Sequence, residues 1–161
     1  MTPRPTAYHR VLGIDFGTRR VGLALSDPRR KTATPLEVYQ RRDPFQDARH
    51  YREVVAEHDI DLIVVGLPVH ASGQEGASSK SARAFGSWIG GETGRPVAFH
   101  DERFSTVDAE EKLIAAGIKR QGRKEKRDML AAQILLQDFL DRGCPLEPAS
   151  TDPLADLPER V

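Results

Sequence analysis

A five-residue run, Leu62-Ile63-Val64-Val65-Gly66, constrains the fold of this chain more than any other stretch. The run is apolar, rich in β-branched residues and bounded by turn-forming residues. That composition is typical of a short strand buried on both faces. A strand of this kind lies inside a sheet with helices on either side. The run therefore predicts an α/β domain with this strand in the interior of its sheet.

Further strands and helices are predicted around this run from hydrophobic periodicity and turn signals. They are strands at 11–16, 21–25, 36–39 and 96–100, and helices at 43–58, 80–89, 105–116 and 128–140. The first two strands are joined by Gly17-Thr18-Arg19-Arg20, a spacing that suits an antiparallel hairpin. The order of elements predicts a three-layer α/β domain over residues 1–143. Residues 144–161 contain four prolines and four acidic residues and are predicted to be a tail.

Composition sets the outer limits of function. The 161 residues suit one domain, and 24 Lys plus Arg balance 24 Asp plus Glu, so no overall charge indicates nucleic acid or membrane as a partner. The single cysteine, Cys144, excludes an intrachain disulfide and a cysteine-rich zinc site. The N-terminal residues lack the apolar stretch of a signal peptide, and no apolar run approaches the length of a membrane span. We therefore expect a cytoplasmic protein without a membrane partner.

Three acidic positions stand at edges of the predicted sheet: Asp15, the pair Asp101-Glu102, and Asp128. Asp15 lies in an otherwise apolar strand, where a charge is costly unless it is paired, hydrogen-bonded or bound to a metal. Carboxylates brought together repel one another unless a proton or a hard cation lies between them, and oxygen ligands favour Mg²⁺ or Mn²⁺. Two such ions activate water and stabilise the leaving oxygen in phosphodiester hydrolysis.

The pattern leaves alternatives open for two of these positions. Strand alternation puts Asp101 with Phe99 on one face and Glu102 with His100 on the other, and periodicity does not choose between the two acids. Asp128 begins a predicted helix, where a carboxylate also serves as a cap or complements the helix dipole.

A basic segment, residues 119–127, directly precedes Asp128. It holds six basic residues against one glutamate, a local charge of +5 in a neutral chain: Lys119, Arg120, Arg123, Lys124, Lys126 and Arg127. We interpret it as a linker. Such a segment either contacts a phosphate backbone, with salt-sensitive binding, or is a solvated run of charge.

The sequence resembles the YqgF/RuvX family of Holliday-junction resolvases and pre-ribosomal-RNA nucleases. The likeness covers residues 10–142 through four blocks in order, GIDFGTRRVGLALSD, VVGLPVHASGQEG, FHDERFST and KRDMLAAQILLQDFL. It implies a ribonuclease H-like three-layer α/β/α fold with a mixed five-stranded sheet. It also implies divalent-metal hydrolysis of phosphodiester bonds in branched DNA, in the 5′ end of pre-16S rRNA, or in both.

The same resemblance assigns residues. It implies catalytic and metal-binding carboxylates at Asp15, Glu102 and Asp128, and so decides for Glu102 over Asp101. It further implies contacts to substrate, or support for the site, from Thr18, Arg19, Arg103 and Ser105. Resolving a symmetric junction requires two active sites, which favours a homodimer.

Two other classes of function compete with the nuclease. Asp-x-Gly-Thr followed by Gly22 also resembles the phosphate loop of actin-like ATPases, but those folds need two such domains and this chain supplies one. A non-catalytic nucleic-acid or ribosome-assembly factor would retain the fold and use mainly the basic segment. The presence of all three acids favours the enzyme.

Overall fold

The computed structural model describes residues 9–68, 72–101 and 120–145, with side chains from Met129 onward in the last range. Within these ranges lie five strands and three helices. The strands are β1 (Arg10–Phe16), β2 (Arg20–Ser26), β3 (Ala33–Gln40), β4 (Ile60–Leu67) and β5 (Val97–Asp101). The helices are α1 (Pro44–Glu57), α2 (Ala77–Thr93) and α3 (Arg120–Asp141).

The strands form one mixed sheet in the order β3-β2-β1-β4-β5. β1 pairs antiparallel with β2, and β2 pairs antiparallel with β3. β4 runs parallel to both of its neighbours, β1 and β5. The predicted interior strand is confirmed, because every residue of β4 from Leu62 to Leu67 is buried.

Helices cover both faces of the sheet, which confirms the three-layer prediction. On the first face, α1 and α2 pack over alternate residues of the strands, including Ile14, Leu23 and Val65. On the second face, α3 packs over the residues in between, including Val11 and Val64. We call these the α1/α2 face and the α3 face.

Local signals set the ends of several elements. Asp43 caps α1 by accepting the amide hydrogen of Gln46 at 2.8 Å, and Pro44 occupies the first turn. Gly94 ends α2 in the left-handed conformation, with φ of +69°. In the hairpin, a Cβ on Gly17 would lie 2.4 Å from the carbonyl oxygen of Arg20, so the turn requires glycine there.

Some predicted boundaries were wrong. The segment interpreted as a basic linker is helical from Arg120, so α3 begins eight residues before the predicted start at Asp128. Arg, Lys, Gln and Glu are strong helix formers, and they continue the helix despite their charge. β3 also begins earlier than predicted, at Ala33. The helix predicted at 105–116 lies outside the described residues, and the tail prediction for 144–161 stays untested.

Among the described helices, none combines the length and the apolar character that crossing a bilayer demands.

Candidate functional site

Asp15 lies on the α3 face of β1, near the carboxyl end of the strand. Two residues earlier, a Cβ on Gly13 would lie 2.7 Å from Cβ of Leu136 in α3, which fixes the face of that position. Because side chains alternate along a strand, Asp15 shares the face of Gly13. Asp15 is half-buried and has an interaction partner, so its carboxylate stands at the boundary between the core and solvent.

The strands on either side of Asp15 present glycine beside it. Gly22 of β2 pairs with Asp15 directly. On the other side Ile14 pairs with Val65, so the next step of the parallel register brings Gly66 of β4 alongside Asp15. The residue directly beside Asp15 on each neighbouring strand is therefore a glycine.

Two glutamines fix the position of α3 over the sheet. Gln137 Oε1 accepts the amide hydrogen of Ala33 at 3.0 Å, and Gln133 Nε2 donates to the Ala33 carbonyl at 3.1 Å. Ala33 pairs with Ser26, at the end of the sheet where β1 begins. Toward its amino end, α3 thus passes from the start of β1 to the level of Gly13, where Leu136 and the Ala132 carbonyl lie.

This course brings the backbones of Asp15 and Asp128 toward the same end of the sheet. Asp128 precedes Ala132 by four residues, about 6 Å along the helix axis. Asp15 follows Gly13 by two residues, about 6.6 Å along the strand in the same direction. Two acids separated by more than a hundred residues in sequence are therefore placed at similar levels by the packing of α3 on β1.

The third predicted acid, Glu102, lies outside the described residues, but the strand that leads to it is well defined. In β5, Ala98 and His100 face α3, whereas Val97 and Phe99 pack on the α1/α2 face. The sequence-based alternation for β5 is therefore confirmed as far as His100. His100 pairs with Gly66, so it is in the same cross-strand row as Asp15.

His100 is the buried titratable group of this row. Its Nε2 lies 2.7 Å from Oδ2 of Asp138 in α3, although no residue that the structure describes gives this nitrogen a well-aligned hydrogen bond. Burial lowers the pKa of His100, and the Asp138 carboxylate opposes that shift. The His100–Asp138 contact joins α3 to β5, and the hydrogen bonds of Gln133 and Gln137 join α3 to β3. Sequence analysis missed these contacts, because no local pattern pairs residues so distant in the chain.

Two of the predicted substrate contacts lie in the hairpin turn after Asp15. Thr18 and Arg19 are exposed there. Arg41 holds the turn: its Nη1 donates to the Thr18 carbonyl at 2.8 Å, and its backbone amide donates to the Arg19 carbonyl at 2.9 Å. The backbone of both residues is thus held at the end of β1 that carries Asp15.

The structure locates the other predicted site residues only in part. The backbones of five basic residues and of Asp128 belong to α3, and their side chains are outside the described set: Arg120, Arg123, Lys124, Lys126 and Arg127. Arg103, Ser105 and Lys119 lie outside the described residues. Among the side chains that are described, no three His, Cys, Asp or Glu residues form a group able to hold a metal ion.

Comparison with known proteins identifies the family. The sequence model of RuvX, described as Holliday junction resolvase, matches residues 9–142. A relative from Koribacter versatilis is 42% identical over 139 residues, which cover 86% of this chain and 91% of the relative. The chain belongs to the RuvX family. A second member, from Ruegeria sp., is 41% identical over 140 residues and 87% of each chain. Both of these RuvX relatives carry the name "Putative pre-16S rRNA nuclease".

Solved structures agree on the fold of this RuvX member. RuvC from Thermus thermophilus superposes with a TM-score of 0.53 at 19% identity, over 84% of this chain and 97% of that one. The same enzyme in complex with a Holliday junction substrate gives a TM-score of 0.51 at 17% identity, with the same coverage. These likenesses confirm the ribonuclease H-like fold.

Proposed function

We propose that this RuvX member is a divalent-metal-dependent endonuclease whose site is built on Asp15, Glu102 and Asp128. The position of Asp15 carries the proposal: a half-buried carboxylate on an interior strand, between Gly22 and Gly66, facing the helix that contains Asp128. Glycine directly beside this carboxylate on each neighbouring strand leaves room there for an ion and a phosphate group.

The donor chemistry fits Mg²⁺ or Mn²⁺. The proposed ligands are all carboxylates, and hard cations prefer oxygen donors. When bound, two such ions would activate water and stabilise the leaving oxygen of a phosphodiester. The chain's own residues have other tasks: β1 and α3 hold two of the carboxylates, and the His100–Asp138 contact secures α3 against β5.

We assign substrate binding to three groups of residues. Thr18 and Arg19 lie in the turn after β1, and Arg103 and Ser105 follow Glu102 in the chain. The segment 119–127 carries a net charge of +5, which suits attraction of a phosphate backbone.

The names of the relatives support pre-16S rRNA as substrate, and the resemblance to the YqgF/RuvX family implies its 5′ end. The description of the family supports a Holliday junction as a second candidate, for which a homodimer would supply the two sites needed. We expect the protein to act in the cytoplasm, where its single cysteine needs no oxidising compartment.

A parallel cleavage assay tests this function. A pre-16S 5′ leader RNA and a four-way DNA junction are each incubated with Mg²⁺ or Mn²⁺ and with wild type, Asp15→Asn or Asp59→Asn. Asp59 is the matched control, because it is exposed and has φ of +52°, a conformation that asparagine tolerates.

We expect trimming of the RNA by wild type and by the control, and none by Asp15→Asn. Paired symmetric nicks in the junction, lost in the same variant, would instead identify a resolvase. Equal cleavage by wild type and Asp15→Asn would overturn the proposed site. Inactivity on both substrates without metal binding would favour a non-catalytic assembly factor, and ATP hydrolysis by the isolated chain would favour the ATPase.

A further inference from the structure

A cavity of about 440 Å³ opens on the α1/α2 face, at the end of β1. This volume lies within the ~300–1,000 Å³ range of small-ligand sites. Four aromatic side chains form much of its wall: Phe16, Tyr51, Phe85 and Trp88. Phe16 and Phe85 stack with ring centroids 4.3 Å apart, and the rings of Tyr51 and Trp88 are nearly perpendicular at 6.2 Å. Tyr51 and Phe85 are buried, whereas Phe16 and Trp88 are half-buried and offer ring surface to a flat aromatic ligand.

A buried carboxylate also lines the cavity. Asp47 is only 7% exposed. Its Oδ1 accepts hydrogen bonds from the Tyr39 hydroxyl at 2.7 Å and from the Arg42 amide at 2.9 Å. Its Oδ2 accepts none from any residue that the structure describes. A purely apolar occupant would displace water from this oxygen without donating a hydrogen bond to it, and leaving a buried carboxylate oxygen unsatisfied costs free energy. The occupant therefore needs a hydrogen-bond donor on its edge.

A cation lies at the same cavity. The guanidinium of Arg41 sits 4.7 Å from the centroid of the Phe16 ring, with Nη1 donating to the Thr18 carbonyl at 2.8 Å. Both Arg41 and Thr18 line the cavity. A ligand that combines a flat ring, a donor on its edge and a negative group would match all three kinds of wall.

We propose that this cavity binds an unpaired nucleobase of the substrate strand, with an exocyclic amino group on Asp47 Oδ2 and a backbone phosphate near Arg41. Adenine, guanine and cytosine carry such an amino group. Uracil has a donor at N3, but the carbonyl oxygens on both sides of it would repel the Asp47 carboxylate. The site therefore prefers amino-bearing bases. This inference rests on the proposed nuclease function, which supplies the nucleic-acid strand.

The position of the cavity close to Asp15 supports the proposal that it binds a base of the substrate strand. Phe16 directly follows Asp15, and alternation directs its ring to the α1/α2 face while Asp15 faces α3. The two sites thus lie back to back on the last residues of one strand. A single strand that passes around the Gly17–Thr18 turn reaches both.

Trp88 makes the test direct, because it is the only tryptophan in the chain and lines the cavity. Its fluorescence is followed while AMP, GMP, CMP or UMP is added without metal. We expect quenching by the three amino-bearing nucleotides at lower concentration than by UMP. Absence of quenching by all four, or equal response to UMP, would overturn the proposal.

Asp47→Asn sharpens the result. Asparagine keeps an oxygen for the Tyr39 and Arg42 hydrogen bonds and replaces Oδ2 by an amide donor. We expect affinity for AMP, GMP and CMP to fall about tenfold, since one charged hydrogen bond is lost, and affinity for UMP to be retained or to rise. An unchanged order of affinities would contradict the assigned role of Asp47.

Two serines of α2 provide a matched pair. Ser81 and Ser87 are both exposed, but only Ser81 belongs to the cavity lining. Ser81→Leu should abolish quenching by nucleotides, and Ser87→Leu should leave it unchanged. Quenching by N-acetylphenylalaninamide but by no nucleotide would show that the cavity accepts a protein side chain instead.

Failure of this inference is distinct from failure of the proposed function. Asp15 lies on the α3 face, opposite the cavity. The Asp15→Asn variant should therefore bind nucleotides as wild type does, although its cleavage activity is lost. Cleavage that depends on Asp15, without nucleotide-dependent quenching, would overturn only the base site. Base-selective quenching in a chain that cleaves nothing would overturn only the nuclease, leaving a nucleotide-binding protein.

Discussion

Gln137 accepts the backbone amide hydrogen of Ala33 at 3.0 Å, a contact that spans 104 residues of sequence. The Gln137 side chain also donates to the Lys31 carbonyl at 2.9 Å, so one residue joins α3 to the beginning of β3 at two points. The helix that carries Asp128 is therefore registered on the sheet by hydrogen bonds as well as by apolar packing.

Loss of the Gln137 contacts should destabilise the protein. Gln137→Leu leaves the Ala33 amide without its partner at a buried position, at a cost of about 1–3 kcal/mol. Urea unfolding of the variant measures this cost. Arg49→Ala is the control, because it removes only an exposed ion pair with Glu53 and should change the free energy of unfolding by less than about 0.5 kcal/mol. Equal effects would mean that Gln137 does not anchor α3.

Gly13→Ala should force α3 away from β1. The new Cβ would lie 2.7 Å from Cβ of Leu136, which rotation of the leucine side chain does not relieve. We expect a loss of about 1–3 kcal/mol in thermal or urea unfolding. Gly91→Ala is the opposite case, since a Cβ in that part of α2 meets nothing within 4 Å and should stabilise by about 0.4–1 kcal/mol. Similar signs for both variants would contradict the close approach of α3.

Binding of Mn²⁺ should stabilise wild type through Asp15. A metal that binds only the folded state adds about 2.7 kcal/mol at a hundredfold excess over its Kd. The expected readout is a rise in melting temperature that a chelator reverses and that Asp15→Asn lacks. A rise of equal size in Asp15→Asn would place the metal elsewhere.

Binding of RNA should depend on salt through the basic turns of α3. Removing two phosphate contacts with the double variant Arg123→Gln, Lys124→Gln should reduce the slope of log K against log salt by about 1.4 on single-stranded RNA. The control replaces two exposed arginines elsewhere, Arg29 and Arg49, by glutamine. If the control reduces the slope as much, the basic segment is not the contact.

The Tyr39–Asp47 hydrogen bond predicts a pH dependence at the alkaline end. Burial, together with the Asp47 carboxylate, raises the pKa of Tyr39 from 10.0 to about 12. Unfolding releases the hydroxyl to ionise at its ordinary pKa, so stability should fall as pH rises from about 10 to about 12. Phenolate absorbance and urea unfolding measure the two effects. Asp47→Asn should lower the pKa of Tyr39, and Tyr39→Phe should remove its share of the fall in stability.

The elements that the sequence predicted well are those whose signals are local. The β1–β2 hairpin follows from two apolar runs around Gly17, and α1 follows from Asp43-Pro44 and the helical spacing after it. α2 was predicted too short, at 80–89. Gly90 and Gly91 indicate an end, but the helix continues to Thr93, whose hydroxyl donates to the Ile89 carbonyl at 2.7 Å.

The site was predictable only in part, because its geometry depends on contacts between distant segments. An acid in an apolar strand marks Asp15 from sequence alone. Its glycine neighbours in space, Gly22 and Gly66, become visible only once the strand order is known. The role of Asp47 could not be predicted from sequence, where it is an ordinary acid in the first turn of a helix. Only tertiary packing buries it and makes it part of the cavity lining.

α3 is one uninterrupted helix of 22 residues, about 33 Å long, and this continuity has a mechanical consequence. Its second half is clamped to the sheet by buried residues such as Leu135 and Phe139. The first half carries the basic residues and has no break between them and Asp128. A force on the charged turns, such as that of a bound phosphate backbone, therefore displaces the Asp128 position together with them. The second half of the helix stays fixed on the sheet.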